Sequence, residues 1–220
     1  GAALAGKAKV LQLDRDRSLK LLKAREGGLW EDEEHDPAKG EDKHGGGEID
    51  GHVWLDPDNA AAIVRAAVRE LSRLDKENAP KYAANGEKTV AALKTLDAEL
   101  RQRLAPIKAR RFVVSHDAIQ YFEKRYGLAA AGSISISPER PPSARRLHEI
   151  RARILKDRVV CVFGEPQVPD TLVKTVIDGT GARAGMIDTD GGTGVPEGKD
   201  AYFTMMRNLG KSLADCLGRN

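Results

Sequence analysis

His52, in Gly51-His52-Val53-Trp54-Leu55-Asp56-Pro57, and His116, in Val113-Val114-Ser115-His116-Asp117-Ala118, are the residues of this chain best suited to do chemistry. Each stands where an apolar run meets a helix start, the place where folds of alternating strands and helices present ligands. Two imidazoles converging with a carboxylate make a site for a borderline-soft divalent metal, zinc first among candidates. Taken singly, a histidine at a strand end is more often a satisfied polar residue than a ligand. The elements around the pair decide between those readings.

Asp56 followed by Pro57 is a helix start, and Ala60, Val64, Ala67, Val68 and Leu71 carry a helical stripe to about residue 74. A second helix opens near Asn78, runs its stripe through Tyr82, Leu93, Leu96, Leu100 and Leu104, and stops at Pro106. At 1.5 Å per residue it spans roughly 38 Å, a candidate strut between two lobes, with Gly86 as a soft spot. Then strands and helices alternate. Strand 111–114 precedes helix 118–126, strand 133–136 precedes helix 143–155, strand 159–163 precedes helix 171–177, and strand 184–187 precedes helix 200–217. Four such units imply a parallel sheet covered on both faces, with ligands gathered beyond the carboxyl ends of its strands. That rule selects His116, Glu165 and Asp188. Asp117 reads as the cap of the helix after it, His148 as a surface or helix-packing residue, and the glycines at 191, 192 and 194 as a flexible turn.

Composition narrows the classes. Charged residues make up 31% and aromatics 5% of 220 residues, as expected of a helix-rich α/β protein. A net charge of +3, without aromatics interleaved among the basic residues, argues against nucleic acid as a partner. No apolar run reaches membrane-spanning length. The opening residues read as a helix end running into a strand at 10–13, so the chain is expected to be a fragment or a processed product. Residues 28–51, acidic, glycine-rich and holding His35 and His44, read as a loop that could attract metal ions. Cys161 and Cys216 are either buried thiols or, in an oxidising compartment, a bond closing a loop of about 55 residues.

In its ordered set of motifs the chain resembles the periplasmic zinc-binding proteins of bacterial ABC importers, a group with manganese-binding relatives. The markers are the acidic histidine-containing loop, Gly51 to Pro57, His116-Asp117-Ala118-Ile119-Gln120-Tyr121-Phe122-Glu123-Lys124, Arg146-Leu147-His148-Glu149-Ile150-Arg151, Phe163-Gly164-Glu165-Pro166-Gln167 and Ile187-Asp188. The resemblance implies two α/β lobes joined by a long helix, with zinc in the cleft. Residues 1–77 would be the later part of the first lobe, 78–106 the linking helix, and 107–220 a second lobe with a four-stranded parallel sheet. It also implies metal ligands at His52, His116 and Asp188, and a disulfide between Cys161 and Cys216. Manganese-binding relatives carry Glu at the place of His116, so an imidazole there argues for zinc.

The first-lobe histidine of the family has no counterpart here. Three ligands remain, with Glu165, His35 or His44 as auxiliaries; Glu165 equally suits orienting an imidazole. Missing strands would leave apolar surface exposed and favour dimerisation. The function implied is capture of zinc in the periplasm and delivery to an ABC permease. Alternatives are a manganese-binding member, a zinc chaperone or adhesin-like role, and a zinc-dependent hydrolase with Glu165 as base. Without HExxH, GxSxG or a nucleophile–base pair, no enzymatic role is expected.

Overall fold

In a computed structural model, residues 10–25, 48–135, 142–167 and 169–219 are described. His35 and His44 lie outside them, as does most of the acidic loop. Helix α1 (Pro57–Leu74) begins where the Asp56 carboxylate accepts the Asp58 N–H at 2.8 Å. Helix α2 (Ala79–Leu104) follows at once and runs for 26 residues. The two pack together, and Gly86 is where they touch: a Cβ there would lie 2.6 Å from Val68 Cγ2. The expected soft spot is therefore a packing site.

Strands β1 (Arg111–His116), β2 (Ala129–Ser135), β3 (Cys161–Gly164) and β4 (Arg183–Met186) form one sheet in the order β2-β1-β3-β4, every pair parallel. Helices α3 (Gln120–Tyr126), α4 (Ala144–Lys156), α5 (Asp170–Ile177) and α6 (Ala201–Leu217) complete the six α-helices among the described residues. Because side chains alternate across a strand, Phe112, Val114 and Phe163 face α2, α3 and α6, while Val113 and Val162 face α4 and α5. The sheet is thus covered on both faces, as its continuous apolar strands require. β2 starts four residues earlier than its apolar run suggests, since Ala129 and Ala130 pair with β1 despite weak strand propensity, and the register then shifts past Ala131.

One expected strand does not form. Leu13–Arg15 make a single 3-10 turn, and Val10 and Leu11 are 58% and 43% exposed, with no strand beside them among the described residues. A short apolar run without a pairing edge has no ladder to join. Leu71 and Leu74 of α1 are exposed as well.

β4 lies against β3 with Gly185 over the Phe163 ring, and a Cβ there would stand 2.5 Å from two ring carbons. That ring is fully buried and meets Phe112 edge-on at 5.8 Å, so it has nowhere to go. Gly185→Val is expected to destabilise the fold by about 1–3 kcal/mol, read as a lower urea midpoint with an unchanged slope.

Candidate metal centre

His116 is the last residue of β1, so the sheet fixes its backbone. His52 immediately precedes the 3-10 turn Val53–Leu55. That turn is fastened to the far side of the sheet end: Trp54 Nε1 donates to the Thr189 carbonyl at 3.1 Å, and Tyr202 Oη donates to the Trp54 carbonyl at 2.7 Å. The result brings the two imidazoles edge to face with ring centres 5.2 Å apart.

Each imidazole has a carboxylate at its Nδ1. For His52 it is Asp50 Oδ1 at 2.7 Å; for His116 it is Glu165 Oε2 at 3.5 Å. A neutral ring whose Nδ1–H points at a carboxylate keeps its lone pair on Nε2, the nitrogen that then serves a metal. Glu165, buried just past β3, is steadied by Thr189 Oγ1, which donates to Oε1 at 3.3 Å. Burial works against charge on His52, but the Asp50 hydrogen bond and the fields of Asp50, Asp190 and Glu165 outweigh it, holding its pKa above the ordinary value.

Asp188 stands differently. Its Oδ1 accepts from the N–H groups of Asp190 and Gly191, at 3.1 and 2.8 Å, and Oδ2 from Thr193 at 2.9 Å. It organises the glycine turn, where Gly191 and Gly194 take φ of +73° and +72°. Among the described residues no group of three or more His, Cys, Asp or Glu side chains is drawn tight enough to hold a metal ion. The structure therefore pairs His52 with His116 and brings Glu165 to the pair, while Asp188 serves its own loop.

Asp117 is not the cap that its position suggests. Helix α3 starts three residues later without a side-chain cap. Arg25 instead forks onto Asp117 and Glu123, with 3.0 Å from Nε to Asp117 Oδ2 and 2.9 Å from Nη2 to Glu123 Oε1. A buried pair of carboxylates needs a guanidinium more than a helix start needs a cap. Sequence reasoning also missed Asp50 and Asp190 beside His52. The spacings Asp50-x-His52 and Asp188-x-Asp190 were the signals available.

The disulfide joins Cys161 at the start of β3 to Cys216 near the end of α6. It ties the sheet to its last helix, as the resemblance implied.

Residues 2–216 match the family described as zinc-uptake complex component A, periplasmic. The high-affinity zinc uptake system protein ZnuA of Brucella suis is 43% identical over 173 residues, covering 79% of this chain and 52% of that protein. The protein of the same name from Yersinia pestis is 34% identical over 185 residues, covering 83% of this chain and 58% of that one. Among solved structures, a mutant of the laminin-binding adhesin Lmb from Streptococcus agalactiae superposes with a TM-score of 0.70 at 29% identity, covering 80% of this chain and 66% of that chain. A crystal structure of ZnuA gives 0.68 at 25%, covering 77% and 63%. The chain spans about half the length of the curated relatives it matches. It belongs to the family of periplasmic zinc-uptake component A proteins and superposes on part of their fold.

Proposed function

We propose that this chain forms the zinc-holding part of a periplasmic capture protein that passes the ion to an ABC importer permease. The observation that carries the reading is the imidazole pair, 5.2 Å between ring centres, each with a carboxylate at Nδ1. Two imidazoles bound to one zinc through nitrogens at about 2.0–2.1 Å must bring their rings this close. His52 and His116 would be ligands, with a carboxylate completing the set after a local shift: Asp188 if its turn opens, or Asp190 or Glu165. Residues 1–77 would belong to a first lobe, 78–106 to the linking helix and 107–220 to the second lobe. An imidazole at 116 suits zinc over manganese.

We read the chain as a binding protein and not as an enzyme. Glu165, the one candidate base, is buried and engaged by Thr189 and His116, which suits orienting an imidazole better than activating water.

Titration calorimetry with zinc across pH 5.5–8 tests the reading. An imidazole must release its proton to bind metal, and a raised pKa keeps His52 protonated to higher pH. Affinity is therefore expected to be full well above the ordinary histidine value of about 6.5 and to weaken as pH falls through it. The loss should approach about one decade per pH unit once the His52 ring carries its proton. Affinity independent of pH, or no zinc binding at all, would remove the imidazoles from the site.

A further inference from the structure

Resting on the reading that His52 binds zinc, we propose that Asp50 is the positioning residue for that imidazole, and that helix α3 sets Asp50. The carboxylate is 6% exposed and fully engaged. Its Oδ1 accepts the backbone N–H of His52 at 3.0 Å and faces Nδ1 of the same residue at 2.7 Å. Its Oδ2 accepts from the Gln120 amide at 3.0 Å, with that amide turned so that its nitrogen also reaches the Lys23 carbonyl. The backbone of Asp50 is held too. Its N–H donates to the Leu22 carbonyl at 2.9 Å, and its carbonyl accepts from Tyr121 Oη at 3.0 Å. That phenol in turn accepts the Leu22 N–H at 2.9 Å.

Gln120 and Tyr121 are the first two residues of α3, a few positions beyond His116. The helix start that follows His116 along the chain thus reaches His52 through Asp50, across a sequence gap of about seventy residues. Two consequences follow from the chemistry. A carboxylate at Nδ1 selects the tautomer that leaves Nε2 to the metal, and it makes the ring a better donor. The bonds from Gln120, Tyr121 and the backbone to Asp50 need no metal, so they can set the His52 ring before an ion arrives and spare ordering cost on binding.

The test is Asp50→Ala, with nitrogen-detected imidazole NMR of the metal-free chain at pH 8 and zinc titration of the same sample. His52 is expected to leave the Nδ1–H tautomer, and zinc affinity to fall about 10–100-fold, the usual effect of removing a carboxylate behind a ligating imidazole. Asp50→Asn keeps an acceptor without the charge and is expected to recover part of both losses. A wild-type tautomer in Asp50→Ala, or wild-type affinity, overturns the proposal. If Asp50→Ala does not fold, Gln120→Leu decides: it leaves the carboxylate but removes its Oδ2 donor, and unchanged affinity with unchanged His52 resonances overturns the proposal. A wild-type chain that binds no zinc would defeat the metal reading, while the tautomer still judges Asp50 on its own.

Discussion

Replacing His116 by alanine is expected to lower zinc affinity by at least about 100-fold, with little change in folding stability. Removing a residue that only orients a ligand costs 10–100-fold, so losing the ligand sets a floor at the upper end of that range. The ring is partly exposed at the end of β1, and the strand that carries it is held by fully buried Phe112, Val113 and Val114. The fold thus has little to lose at that side chain. His52→Ala should behave alike, since Trp54 and Tyr202 keep its turn in place. His116→Glu makes the sharper comparison: it exchanges a borderline nitrogen for a hard oxygen, so the preference for zinc over manganese should shrink. Competition titrations with both metals on the two variants would show it. An unchanged preference would mean that selectivity lies elsewhere.

The disulfide gives the opposite pattern. Cys161→Ala/Cys216→Ala is expected to destabilise the chain by about 4 kcal/mol, the chain-entropy value for a closure of this length, over a sequence separation of 55. For a domain of this size that is a fall in Tm of roughly 10 °C. Zinc affinity should stay within a few-fold of wild type. Cys216 lies at the far end of α6 from Tyr202, roughly 20 Å away along the helix axis, and Cys161 opens β3 while Glu165 follows its last residue. Thermal melts and zinc titrations of oxidised, reduced and double-alanine protein separate the two effects. A large loss of affinity alongside a small loss of stability would place the bond in the metal site.

How much of this the sequence displayed depended on how local the cause was. The helical stripes of α1 and α2 and the cap at Asp56 are set by neighbours a few residues away, and their bounds came close to those observed. So did the alternation that yields a parallel sheet. Strand order was not legible, because β3 pairs with β1 and not with β2 through register contacts that no local pattern encodes. The strand expected at 10–13 failed for a related reason, as strand propensity without a partner edge does not make a strand. At the site, the two histidines stood out by type and context. Asp50 did not, since its partners Gln120 and Tyr121 lie about seventy residues further along the chain and its own neighbours read as loop. Asp117 misled because a carboxylate before a helix usually caps it, and only the fold shows Arg25 arriving from about ninety residues away. Asp188 was selected by the strand-end rule, but the backbone groups of its own turn compete for its oxygens.

The central claim is that one zinc ion sits between His52 and His116. Crystals grown with zinc, with anomalous data on both sides of its absorption edge, test it most directly. The account predicts a single strong peak about 2.0–2.1 Å from Nε2 of both rings, with Asp50 and Glu165 still on the Nδ1 sides. A peak elsewhere, or none at saturating zinc, would contradict it.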